Sequence, residues 1–138
     1  VVVEILVIYI DPATKRVTFR IQPKVVSGVL KLTQIVLLSL LNIPGQDVLN
    51  PEEGGGIPEL IGFNFGEGEL NEIAAEVTRR VRKTEAEVLD KQIGLTIPPA
   101  ERLREIQIIN IEQGDGIDSV FVRLRIINEL GQQQDVVI

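Results

Sequence analysis

Histidine, cysteine, methionine and tryptophan are all missing from this chain of 138 residues, and its aromatic side chains come down to Tyr9 and four phenylalanines. Without cysteine there is no disulfide and no thiolate metal site. Without histidine, neither a Ser–His nor a Cys–His nucleophile can be assembled, and imidazole metal ligands are excluded. Serine is scarce as well, confined to Ser27, Ser39 and Ser119. Catalysis would have to rest on carboxylates, lysines and Tyr9, so the chain is not expected to be an enzyme. No run of about 18 uninterrupted apolar residues is present, and no membrane span is expected. Val1 to Ile10 is apolar, but Glu4 breaks it, no basic segment precedes it and Asp11-Pro12 follows, which is not a signal-peptide pattern. Fourteen basic against 20 acidic residues leave a net charge of -6, which argues against a general grip on nucleic acid or an anionic membrane. No motif implies a cofactor.

What is there fits one domain with its own core. Val1 to Ile10 is rich in Val and Ile and reads as a strand. Asp11 to Lys15 has turn chemistry, and Arg16 to Gln22 alternates Val17, Phe19 and Ile21 with Thr18 and Arg20, completing a hairpin that Pro23 stops. Ser27 is a candidate N-cap for a helix running to about Asn42. Leu30, Ile35, Leu37, Leu38 and Leu41 make that helix apolar almost all round, which calls for burial in the core or by a neighbouring subunit. A second helix is expected from about Glu69 to Lys91, with Leu70, Ile73, Ala74, Val77, Val81, Thr84 and Val88 in one stripe. Glu76–Arg80 and Glu87–Lys91 are spaced as i,i+4 pairs, and Gly94 with Pro98-Pro99 ends the helix.

The last third is β. Strands are expected at Leu103 to Glu112, Ser119 to Asn128 and Gln134 to Ile138, with Gly114-Asp115-Gly116 as a hairpin turn. In the first of these the apolar phase slips between Ile106, Ile108 and Ile109, Ile111, as a bulge near Ile108 or burial of both faces would produce. The layout is α+β: an N-terminal hairpin, two main helices joined by a long Pro/Gly loop, and a C-terminal antiparallel meander.

That loop is the most unusual stretch. Ile43 to Gly62 reads IPGQDVLNPEEGGGIPELIG, with three prolines and five glycines, yet it keeps Val48, Leu49, Ile57, Leu60 and Ile61. Neither a helix nor a continuous strand tolerates Pro44, Pro51, Pro58 and the Gly54-Gly55-Gly56 run. An ordered loop that packs on something is expected, and such loops are commonly recognition elements. The glycine run is no phosphate cradle, because no Lys and Ser/Thr follow and Glu52, Glu53 and Glu59 would repel phosphate. Gly114 to Asp118 has too few oxygen ligands at the required spacing for a calcium loop.

The order of helix, Pro-Gly loop, second helix and C-terminal strands resembles the small baseplate wedge subunit of contractile phage tails, the sheath-initiator family, to which a type VI secretion subunit is related. Pro44-Gly45-Gln46-Asp47 matches the start of the family loop, Pro51-Glu52-Glu53-Gly54 its middle and Leu60 its end. The resemblance covers roughly Ser27 to Ile138 and leaves the N-terminal hairpin, residues 1–23, outside. Two positions depart from the family: its loop arginine falls at Asp47, and its Glu-Pro-Arg docking triplet has only Glu85-Ala86-Glu87 as the nearest match. The resemblance implies an architectural protein of the virion, assembled in the host cytoplasm. Its partners would be sheath protein, tube protein and other wedge proteins, with six copies per baseplate and no cofactor, nucleic acid or membrane.

Under that reading, Val120, Val122, Arg123, Leu124, Arg125 and Ile126 would form the sheet edge to which sheath subunits add strands. An exposed edge invites such addition. Arg79, Arg80 and Arg82, with Glu85, would face the wedge; otherwise they are a solvated helix face. Two other readings compete. Glu67, Glu69, Glu85 and Glu87 could furnish the carboxylate pair of a lysozyme-like hydrolase, although no aromatic subsite is visible. A free-standing peptide-binding α+β domain is the other.

Overall fold

A computed structural model describes residues 5–22, 26–60, 70–113 and 120–138. Pro23, Ile61, Glu67, Glu69, the Gly114-Asp115-Gly116 turn and Ser119 lie outside the described residues. The fold is α+β, as the sequence predicts, and the described residues hold two strands, two α-helices and then three strands.

Strands β1 (Ile5–Ile10) and β2 (Val17–Gln22) pair antiparallel, from Ile10 opposite Val17 to Ile5 opposite Gln22. Their turn is held by Asp11, whose carboxylate accepts the backbone N–H of Ala13 at 2.8 Å and of Thr14 at 3.1 Å. This is the local bonding that suits Asp to turns, and those N–H groups hold the Asp11 carboxyl below its ordinary pKa.

Helix α1 (Gly28–Leu41) buries Leu32, Thr33, Val36, Leu37 and Leu40 along one face. Ile35 and Leu38 stay exposed, so the nearly all-round apolar character is only half used within the chain. Ser27 precedes the helix in extended backbone but makes no side-chain capping bond, contrary to its expected role. Helix α2 (Leu70–Gln92) buries Ile73, Val77, Val81, Thr84, Val88 and Gln92, a spacing of three and four that makes one stripe. Gly94 ends it with φ +77°, a left-handed residue that glycine adopts without strain. No helix among the described residues is long and apolar enough to cross a membrane.

Strands β3 (Leu103–Gln113), β4 (Val120–Asn128) and β5 (Gln133–Val137) form an antiparallel sheet in the order β3-β4-β5. The register slips between Ile108 and Asn110, leaving Ile109 as the bulged residue where the apolar phase predicts one. A second slip lies between Leu103 and Glu105. Both helices cover one face of the sheet, where Ile106, Val122, Leu124, Ile126 and Val136 meet the buried residues of α1 and α2. Each large aliphatic buried there contributes about 1.5–3 kcal/mol. The first hairpin reaches the sheet through its turn: the Val137 N–H donates to the Lys15 carbonyl at 2.8 Å, and the Arg16 guanidinium lies 5.0 Å from the centre of the Phe121 ring.

Two buried amides lock the ends of these elements. Gln92 donates to the Glu101 carbonyl at 3.1 Å and accepts the Leu103 N–H at 2.8 Å, joining α2 to the start of β3. Asn128, fully buried, donates to the Ala100 carbonyl and to Gln132 Oε1, both at 2.9 Å, and accepts the N–H groups of Leu130 and Gln132. All four hydrogen-bonding positions of that amide are filled, which is what makes its burial affordable.

Candidate functional site

The Pro-Gly loop leaves α1 at Asn42 and returns to a short 3₁₀ turn, Ile57–Leu60. Gly54, Gly55 and Gly56 are all buried between the C-terminal end of α1 and the flank of α2. Backbone bonds fix them: Gly55 N–H to Ser39 O at 2.9 Å and Gly56 N–H to Asn42 O at 2.9 Å. The Asn42 side chain adds a bond to the Glu53 carbonyl at 3.1 Å. A side chain on Gly54 would run into the Asn42 carbonyl oxygen, and one on Gly55 would stand 2.9 Å from Leu40 Cα. The glycines are here because two helices close on the backbone.

The basic cluster of α2 is the other half of this clamp. Arg80, with only 13% of its side chain exposed, donates to Glu76 at 2.7 Å and Glu59 at 2.9 Å, and also to the carbonyls of Gly55 and Gly56. Lys83 donates to the carbonyls of Glu52 and Gly54, each at 2.9 Å. Glu87 accepts the Gly54 N–H at 3.2 Å, and Lys91 pairs with Glu53 at 2.6 Å. The expected Glu76–Arg80 pair therefore forms, whereas Lys91 reaches the loop and Glu87 lies 3.5 Å from Lys83. Arg79 and Arg80, hydrogen-bonded to Glu76, pull its carboxyl from 4.5 down to about 2.

The reading of Arg79, Arg80, Arg82 and Glu85 as one outward, wedge-facing set needs correction. Arg80 holds the loop. Arg82 donates to the Ile106 carbonyl at 2.8 Å, and the Ile106 N–H donates to Glu85 at 2.6 Å. Arg82 and Glu85 also pair with each other at 3.1 Å. Together they cover both outward backbone groups of Ile106, closing the β3 edge at that point. Arg79, paired with Glu76 at 2.6 Å, is the most exposed of the four, and Arg82 also keeps half of its side chain in solvent.

The placement of the strand edge at Val120, Val122, Arg123, Leu124, Arg125 and Ile126 is also corrected. These residues belong to β4, the central strand: Val122 to Ile126 are paired on both sides, while Val120 is paired with β3 alone among the described residues. Val122, Leu124 and Ile126 are core residues, and Arg125 pairs with Asp135 across to β5 at 2.8 Å. That bidentate contact lowers the Asp135 pKa and raises that of Arg125. The outer margins belong to β3 and β5. Ladder alternation settles which groups face out. Val122 exchanges both backbone bonds with Ile138, so Ile111, opposite Val122 on β3, turns its N–H and C=O away from the sheet. Ile108 and Gln113 do likewise. Among the described residues no strand pairs with that side of β3. The margin of β5 is met at Val137 by residues of the first turn.

The loop residues of the family pattern divide by role. Gly45, at φ +95°, donates to the Pro51 carbonyl at 2.7 Å and closes the tip into a ring. Pro44 lies beside Gly56, Gly54 is in the clamp, and Leu60 packs against the core together with Ile57. Within the ring, Asp47 accepts the N–H groups of Leu49 at 2.9 Å and Asn50 at 3.4 Å. The expectation that the loop aliphatics pack fails for two of them: Val48 is 90% and Leu49 87% exposed. Among the described residues no group of carboxylates is arranged to hold a metal ion.

The sequence marks Lys83 as part of the basic cluster of α2 and pairs Glu87 with Lys91, but it does not show that all three reach the loop, nor does it single out Gln92 or Asn128. Gln92 had a legible signal, since it continues the α2 stripe four residues beyond Val88. No protein-family model, curated protein or solved structure matches the chain.

Proposed function

We propose that this chain is a non-enzymatic assembly subunit of a contractile-tail baseplate, which anchors among wedge proteins around the tube and templates the first sheath ring by strand addition. The observation that carries the reading is the divided margin of β3. Arg82 and Glu85 close it at Ile106, while Ile108, Ile111 and Gln113 present backbone donors and acceptors outward. Such a margin admits an added strand in one register and over a limited length. The templating edge is thus assigned to β3 in place of β4. Arg79 and the exposed half of Arg82 remain available for a wedge contact.

The hydrolase reading draws little support from the same geometry. Glu85 is bonded to Ile106 and Arg82, and Glu87 to Gly54 and Lys83, so both carboxylates have structural partners.

Proline at an outward position removes the docking N–H without breaking the β3–β4 ladder. Ile111→Pro and Gln113→Pro are therefore expected to abolish sheath polymerisation from purified sheath and tube while the folded domain persists by circular dichroism. Normal initiation by both variants would overturn the β3 assignment.

A further inference from the structure

We infer that the loop tip Asp47–Asn50 is a preformed plug for an apolar socket, rimmed by Lys or Arg, on a partner protein. The inference does not depend on strand addition and concerns a different surface. Val48 and Leu49 are the two most exposed large hydrophobics among the described residues. They are not on a floppy excursion. The ring is closed by Gly45 N–H to Pro51 O at 2.7 Å, by Gln46 N–H to Ile43 O at 3.1 Å and by the two bonds to Asp47. Its base is bonded into the helices through Gly54, Gly55 and Gly56. A rigid loop carrying bare aliphatics loses little freedom on docking, which is the condition for a short contact to bind well.

Charge selects the partner. Asp47, at the root of the aliphatic pair, is held ionised by the N–H of Leu49 and then of Asn50. Glu52 is exposed on the same loop, where only its backbone carbonyl meets Lys83. An apolar knob with an acidic collar fits an apolar socket with a basic rim. It is repelled by anionic lipid headgroups. Two copies meeting tip to tip would oppose like charges, so a symmetric self-contact is disfavoured.

The test replaces Leu49 with a photo-reactive benzoylphenylalanine in the full chain, expressed in the cell that naturally makes it. Crosslinks are mapped by mass spectrometry, and the crosslinked protein is then purified for affinity measurement. The expected result is one dominant protein crosslinked within an apolar surface bordered by Lys or Arg. Val48→Asp with Leu49→Asp should weaken its binding roughly 100-fold. Asp47→Asn should weaken it several-fold, with reduced salt dependence. Crosslinking to lipid, to another copy of this chain, to many proteins alike or to none would overturn the inference, as would unchanged affinity of the Asp variants. Loss of sheath initiation in the β3 proline variants with tip binding intact would separate the two proposals.

Discussion

At Gly55 an added Cβ would stand 2.7 Å from Thr84 Oγ1 and 2.9 Å from the Leu40 backbone, whereas six residues earlier Leu49 leaves 87% of its surface in solvent. These are two regions of one loop, and each reverses what its composition suggests. The glycine run is the immobile part, because the absence of side chains lets α1 and α2 close directly on its backbone. The aliphatic pair is the outward part, because Asp47 and the Gly45–Pro51 bond hold the tip away from the core. Glycine therefore marks close approach here, and a bare aliphatic on a fixed frame marks a contact surface.

The largest break in that contrast is expected from Gly54→Ala. Its φ of +122° is strained for any L side chain, and the new methyl would meet the Asn42 carbonyl. Strain and overpacking together should cost about 3–5 kcal/mol, read by chemical denaturation. Gly45→Ala is the control: its φ is also positive, at +95°, but nothing lies within 4 Å, so about 1 kcal/mol is expected. Equal losses at the two positions would show that the clamp does not pack as described.

Arg80→Met comes next. It keeps much of the side chain's bulk but removes the donors serving Glu76, Glu59 and the glycine carbonyls. A loss of about 2–3 kcal/mol is expected, because acceptors in a part-buried site lose a charged partner. Retention of full stability would mean that the glycine bonds to Ser39 and Asn42 suffice to hold the neck.

Acid should loosen the same clamp. The folded-state carboxyl of Glu76 titrates at about 2 and its ordinary value is 4.5, so its contribution is complete above about pH 5 and disappears as the pH falls through about 2. Glu76→Gln should therefore lower stability at pH 7 and flatten the decline between about pH 5 and about 2. Parallel pH profiles for the two proteins would contradict the role of this ion pair.

The extent of what could be read from the residues follows from which forces leave a local trace. Helix α2 was legible to within a residue at its C-terminal end, because Ile73, Val77, Val81, Thr84 and Val88 repeat at helical spacing and Gly94 ends it. The Ile109 bulge was legible as one of two readings of the phase slip, the other being burial of both faces. The position of β4 was not. Alternation of Val122, Leu124 and Ile126 shows that a face is buried, but it carries no information about how many neighbours the strand has. Nor could charge spacing along α2 show what packs above it. Arg80, Arg82 and Glu85 look like a solvated row until the loop and β3 are laid against them. For the loop, the aliphatic count signalled packing, which holds in part. It could not separate Ile57 and Leu60, which pack, from Val48 and Leu49, which do not.

The smallest stability effect is expected where the sequence looks most apolar. Val48→Ser with Leu49→Ser removes two large side chains that touch almost nothing within the chain, and it leaves the Asp47 bonds to the backbone of Leu49 and Asn50 in place. Surface changes of this kind stay within about 0.5 kcal/mol. The same double change in the core, at Val36 and Leu37, would remove fully buried groups and cost several kcal/mol, on the order of 2–5 for each large aliphatic. Urea denaturation of the tip variant thus separates the two accounts of these residues. A near-zero shift leaves recognition by another molecule as the use of Val48 and Leu49. A loss of about 2 kcal/mol or more would return them to the chain's own packing and remove the contrast between neck and tip.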